Sequence, residues 1–169
     1  LILNACKSLK SNNVDFIALC ANTAHLFADE IQSTLGIPII HIASATAEEI
    51  QRQKLFKVGL LGTKFTMEMD FYRNKLKEYK IEAIVPSEKK DIEEIQDIVK
   101  NELGKGIINQ ASKQKFIRYT NELRERGVEG LILGCTEIPL LIGQIDFEFP
   151  VFDTTRIHVE SIVNFALDK

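Results

Sequence analysis

The most chemically suggestive stretch of this sequence is a thiol at the end of an apolar run, Leu131–Ile132–Leu133–Gly134–Cys135–Thr136–Glu137–Ile138–Pro139. The three apolar residues read as the end of a buried strand, and Gly134 permits a tight exit. Cys135 is therefore expected at the C-terminal tip of that strand, where open parallel sheets form their ligand crevice. Thr136 is expected to cap a short following helix, with Pro139 in its first turn. A thiol at a helix N-terminus gains thiolate character, because the positive end of the dipole stabilises the anion. Position alone leaves a buried structural cysteine equally open.

A second stretch has the same build. Val14–Asp15–Phe16–Ile17–Ala18–Leu19–Cys20–Ala21–Asn22–Thr23 parallels Val128–Glu129–Gly130–Leu131–Ile132–Leu133–Gly134–Cys135–Thr136–Glu137. A polar, helix-like run precedes each, and a Pro-led strand follows each: Pro38–Ile39–Ile40–His41 and Pro150–Val151–Phe152–Asp153. Two copies of helix, strand, polar turn, helix and strand predict two similar α/β units facing each other across a cleft. Aligned from Val14 and Val128, Cys135 falls opposite Ala21, and Cys20 falls opposite Gly134. A one-residue shift on an extended backbone turns a side chain to the other face. Cys20 is thus expected on the packed side, with Ala21 opposite Cys135.

The elements that must position these residues alternate along the chain. Ile2, Ala5, Cys6 and Leu9 share a helical face, Val14–Leu19 reads as a strand, and Leu26–Leu35 reads as a helix stopped by Gly36. Ile37–Ile42 is the next strand, and Thr46 is expected to open a helix through Phe56. Lys57–Val58–Gly59–Leu60–Leu61–Gly62–Thr63 reads as a buried strand ending in a glycine turn. That turn can present backbone N–H groups to a carboxylate or phosphate and is expected to face Cys135 across the cleft. Phe65, Met69, Tyr72 and Leu76 predict one helix; Ile92, Ile95, Val99 and Leu103 predict another. Lys105 sits between Gly104 and Gly106 in a solvated turn. Phe116, Tyr119 and Leu123 mark the helix feeding the Cys135 strand, and Thr155–Leu167 closes the chain, with Ile162 and Phe165 inward. Such alternation predicts α/β architecture with mainly parallel sheets.

Composition excludes several classes. With 45% hydrophobic and 27% charged residues, the 169-residue chain can bury a sizeable core. A net charge of −3 gives no electrostatic case for nucleic acid or an anionic membrane. No apolar run approaches transmembrane length, and no signal peptide is expected. Three cysteines without CxxC spacing argue against a disulfide framework or a zinc site, so a cytoplasmic compartment is expected. The chain opens on Leu1 within a helix-like run, which leads us to expect material upstream.

Asn22–Thr23–Ala24–His25, Gly59–Leu60–Leu61–Gly62–Thr63 and Gly134–Cys135–Thr136–Glu137 together resemble the aspartate/glutamate racemase family, over essentially the whole chain. The resemblance implies two pseudo-symmetric lobes, 1–47 with 151–169 and 48–150, and an active site between them. It also implies a homodimer, no pyridoxal phosphate and no metal. One cysteine from each lobe would flank the Cα of a small acidic amino acid, one removing the proton and the other returning it. Cys135 and Cys20 are then the catalytic candidates. Asn22, Thr23, Thr63 and Thr136 are donors suited to the developing carboxylate charge, and each also suits a cap or turn. Lys105 lies where the family's basic residue pairs with the substrate's side-chain carboxylate.

Two departures stand out. The family's opening strand and its arginine would precede Leu1, and Ala21 occupies the position of the usual first cysteine. The alternatives are a single-cysteine isomerase or decarboxylase of a dicarboxylate, and a non-catalytic dicarboxylate-binding relative. His25, one turn on, is a conceivable substitute acid.

Overall fold

The computed structural model describes residues 1–168. Helix α1 (Ile2–Lys10) turns Cys6 inward and leads to β1 (Ile17–Ala18). A 3-10 turn (Asn22–Phe27) and α2 (Ala28–Leu35) follow. Gly36 ends α2 at φ 60°, a left-handed position that glycine takes without a Cβ clash. The chain then returns as β2 (Ile39–Ile40), parallel to β1. These strands are shorter than the apolar runs suggested, because the pairing covers two residues from each.

Helix α3 (Ile42–Arg52) begins four residues before the expected Thr46. Its cap is His41, whose Nδ1 accepts the Ala43 N–H at 3.1 Å, while the buried Thr46 hydroxyl donates back to the Ile42 carbonyl at 2.8 Å. Strand β3 (Lys57–Gly62) leads into α4 (Lys64–Glu68) and α5 (Asp70–Glu78). The single helix expected from Phe65 to Leu76 is broken at Met69, whose ψ of 144° is extended. Then come β4 (Glu82–Ile84), α6 (Lys89–Asn101), a 3-10 turn (Leu103–Lys105), α7 (Gln110–Glu125) and β5 (Gly130–Gly134). Two short 3-10 turns, β6 (Val151–Asp153) and α8 (Thr154–Leu167) are the last elements among the described residues.

The larger sheet is all parallel, in the order β4–β3–β5–β6. Parallel strands must be covered on both faces, so β3 after Lys57 and all of β5 are apolar and send alternate residues to opposite cores. Leu61, Leu131 and Leu133 meet Ile95, Val99, Phe116, Tyr119 and Leu123 from α6 and α7. Val58, Leu60 and Ile132 meet Ile42, Ile50, Tyr72, Leu76 and Ile157 from α3, α5 and α8. The smaller sheet has its own core of Cys6, Ile17, Leu19, Ala28, Ile31, Leu35, Ile37 and Ile39. In α8, Ile162 and Phe165 are half-buried, and the Phe165 ring meets Phe16 edge-on at 5.2 Å.

Strand β6 joins the larger sheet. Its backbone pairs with β5, Leu131 opposite Val151, so residues 151–153 belong to the larger sheet. The internal repeat is visible in the pairing. Ile17 opposes Ile39 and Ala18 opposes Ile40, just as Leu131 opposes Val151 and Ile132 opposes Phe152. His41 and Asp153, next after these pairs, each cap the following helix, and α3 packs against α8.

Candidate active site

Strands β3 and β5 end level with each other: Gly62 is in register with Gly134, so Thr63 and Cys135 are the first residues beyond two adjacent tips. The close approach requires glycine. A Cβ on Gly62 would lie 3.0 Å from the Gly134 carbonyl oxygen, and one on Gly134 would lie 2.8 Å from Leu60 Cδ1. Thr63 therefore stands beside Cys135 in one sheet, not across a cleft from it as expected. The residues brought in from the smaller sheet's side are Asn22 and Thr23.

Thr23 reaches over to the larger sheet. Its Oγ1 is 3.3 Å from Thr63 Oγ1 and 3.5 Å from Thr66 Oγ1, and the latter two are 3.0 Å apart. Thr66, fully buried and also hydrogen-bonded through its N–H to Thr63 Oγ1, is a member of this cluster that the sequence reading missed. Its signal was the spacing of two threonines three apart after a glycine turn, which puts both on one side of a helical turn.

Asn22 is held by a second connection between the sheets. The Thr154 hydroxyl donates to the Leu133 carbonyl at 2.8 Å, so its oxygen must accept from Asn22 Nδ2 at 3.1 Å. That fixes the amide orientation and leaves Asn22 Oδ1 buried with no partner among the described residues. Thr154 was not singled out in the sequence either.

Cys135 is 5% exposed, and its Sγ donates to Glu137 Oε2 at 2.9 Å. Burial pushes the thiol up to about 12, and the neighbouring Glu137 carboxylate adds to the effect. Burial thus opposes the expected thiolate character: the backbone N–H groups of Glu137 and Ile138, at the start of a three-residue 3-10 turn (Ile138–Leu140), favour the anion but do not outweigh it. The cap position of that turn is Glu137, not Thr136. Burial opposes ionisation of Glu137, yet hydrogen bonds from Cys135 and Thr136 outweigh it and hold the carboxyl below its ordinary value. Thr136 thus serves Glu137.

Two candidates lie apart from this group. Lys105 ends an exposed 3-10 turn, and its ammonium has no partner among the described residues. Cys20 is exposed rather than packed: the chain leaves the sheet after Ala18, and residues 20 and 21 both line an apolar groove beside α1 with Ile2, Ala5 and Leu9. No group of three or more His, Cys, Asp or Glu among the described residues is arranged to hold a metal ion.

Residues 1–162 match the sequence profile of the Asp/Glu/Hydantoin racemases. The chain belongs to that family. A candidate Asp/Glu racemase from Yersinia pestis is 44% identical, and its structure superposes with a TM-score of 0.91 over 98% of this chain and 72% of that one. An aspartate racemase homologue from Pyrococcus horikoshii OT3 is 40% identical, with a TM-score of 0.87 over 98% and 72%. A glutamate racemase from a Sulfurihydrogenibium strain is 32% identical over 166 residues, 92% of this chain. The chain spans 60% of that enzyme's length.

Within this racemase-family fold, the Cys135–Glu137 pair and Thr63 follow the ends of the neighbouring strands β5 and β3, and the turn after β1 brings Thr23 and the open Asn22 amide oxygen to them. No helix among the described residues is long and apolar enough to cross a membrane.

Proposed function

We propose that the protein racemises an acidic amino acid, aspartate or glutamate, by moving the Cα proton without a cofactor. The observation that carries this reading is the 2.9 Å Cys135–Glu137 pair at the strand tip adjoining Thr63. The α-carboxylate is bound by the Thr23 and Thr63 hydroxyls, which give up their mutual contact to donate to it. The unpartnered Asn22 Oδ1 accepts from the α-ammonium. Lys105 is the proposed partner for the side-chain carboxylate.

At neutral pH Cys135 is a thiol, and it acts as a base only by handing its proton to Glu137. The Cα–H proton then passes to Sγ, and the electron pair left behind spreads into the α-carboxylate, where the hydroxyl donors strengthen. In reverse, the Sγ–H protonates Cα from the same face. Cys20 is the proposed acid/base for the other face, a role that requires the 20–21 segment to turn it out of the α1 groove towards the substrate. Relatives named for each candidate substrate support both: the Pyrococcus protein is described as an aspartate racemase homologue, and the Sulfurihydrogenibium protein as a glutamate racemase. The family resemblance supports a homodimer, which sedimentation at assay concentration tests.

A second reading is favoured by Ala21. In the repeat alignment, which the matching strand pairs support, Ala21 is the counterpart of Cys135, and alanine cannot move a proton. One-sided thiol chemistry on a dicarboxylate would follow. Incubation with L-aspartate and L-glutamate in D₂O separates the two. D-enantiomer carrying deuterium at Cα supports racemisation, exchange with retained configuration supports the one-sided reading, and no exchange removes both.

A further inference from the structure

All three histidines of the sequence, His25, His41 and His158, form a stack of tilted and edge-on contacts centred on His25, behind the turn that carries Asn22 and Thr23. The His25 ring centroid is 4.8 Å from that of His41 and 5.3 Å from that of His158. Three separate elements thus meet: the 3-10 turn, the β2–α3 junction and α8.

Each ring has a backbone partner that dictates its tautomer. His25 Nδ1 lies 3.0 Å from the Ala21 carbonyl, which can only accept, so Nδ1 bears the hydrogen. His41 Nδ1 accepts the Ala43 N–H, so its hydrogen is on Nε2. His158 Nε2 lies 2.7 Å from the Ile40 carbonyl and donates to it. A charged ring would put a second N–H where His25 Nε2 is buried without a partner, or would turn His41 Nδ1 donor-to-donor against Ala43. The stack is built for neutral imidazoles.

The Ala21 carbonyl also accepts the Ala24 N–H at 3.1 Å. Its two donors close the turn from which Asn22 points to Thr154 and Thr23 points to Thr63. We propose that His25 is a positioning residue for the Asn22–Thr23 turn, holding it in binding geometry only while the three-histidine stack is neutral. This rests on the racemase reading for its substrate, though not for the geometry.

The stack is not sealed. His41 lines a cavity of about 390 Å³, together with Asp29 of α2, Glu48 of α3, Lys75 of α5 and Ser161 of α8. Asp29 favours the charged form of His41, while Lys75 and the other two imidazoles oppose it. Burial, the largest influence on His25, outweighs the Ala21 bond and brings it down to about 4. Protons enter from the cavity at His41; for a charged His25 the acceptor at hand is the Ile40 carbonyl, which already accepts from His158 Nε2, so the ring shifts and releases the Ala21 carbonyl.

Because the chain has no other histidine, imidazole NMR reports on the stack alone. At pH 7, long-range ¹H–¹⁵N spectra should show His25 as the Nδ1–H tautomer and the other two as Nε2–H. On acidification below about pH 5, ring titration should move the Asn22 and Thr23 amides together, well below an ordinary histidine midpoint. His25→Leu removes the donor and should raise KM for L-aspartate about tenfold with kcat little changed, the size expected for one lost orienting hydrogen bond. His25→Asn keeps a donor near Nδ1 without a titrating ring, and should restore KM and flatten its acid rise.

A His25 ring that titrates near pH 6.5 while the Asn22 and Thr23 amides stay fixed would overturn the proposal. So would a folded His25→Leu protein with unchanged amides and unchanged KM. If the protein exchanges no Cα proton, the wild-type NMR titration still decides the matter, and that failure falls on the racemase reading alone.

Discussion

Cys135 Sγ donates to Glu137 Oε2 at 2.9 Å, two residues ahead in the same turn, so the thiol of this site rests in its protonated form. Alkylating reagents attack thiolates. At pH 8, iodoacetamide should therefore label the exposed Cys20 first and the buried Cys135 last, as read by peptide mass mapping. Glu137→Gln removes the nearby negative charge, which should speed Cys135 alkylation while slowing Cα exchange by about a hundredfold, the low end for a lost acid/base partner. Preferential labelling of Cys135 in the native protein would contradict the assigned protonation.

Thr63→Val keeps the shape of the side chain and deletes a donor. Hydrogen bonds to a charged group contribute about 1.5–3 kcal/mol, so KM for an acidic amino acid should rise roughly 10- to 150-fold. A variant with unchanged KM would take Thr63 out of the carboxylate site.

Thr154→Val tests the tie between the sheets. It strands the Leu133 carbonyl and the Asn22 amide in a buried setting, at a cost of about 1–3 kcal/mol. Urea unfolding should show a lower midpoint with an unchanged slope. An unchanged midpoint would mean that water replaces the hydroxyl.

Acid should weaken the fold through the histidines. The folded-state values of His25 and His41, about 4 and about 3, lie below the ordinary value of 6.5, with burial the main cause. The unfolded chain binds more protons in that interval, so this part of the stability is complete above about pH 6.5 and falls as the pH drops towards 4. Thermal melting in steps across that range should show a steeper decline for the native protein than for His25→Asn. Parallel curves would remove His25 from the acid response.

Much of the fold was legible because it follows from periodicity. The glycine-ended strands Lys57–Gly62 and Gly130–Gly134, the helical face of Phe116, Tyr119 and Leu123, and the repeated strand pairs all came from apolar spacing. What stayed hidden depends on contacts distant in sequence. Thr154 reads as a routine helix start until Asn22, 132 residues away, bonds to it. His41 is an uncommon cap, so the start of α3 passed to Thr46, whose hydroxyl was already satisfied within the helix. The protonation of Cys135 turned on burial, which its local sequence does not encode.

The paired glycines at the strand tips have one more consequence. Because Gly62 and Gly134 leave no room between their backbones, the separation of Thr63 from Cys135 is fixed by the spacing of neighbouring strands, about 4.8 Å, rather than by any side chain. That half of the site is a fixed gauge. In the proposed binding mode, with the α-carboxylate held between Thr23 and Thr63, a change of substrate length would be met at the other end, by the Lys105 turn, and not at these tips.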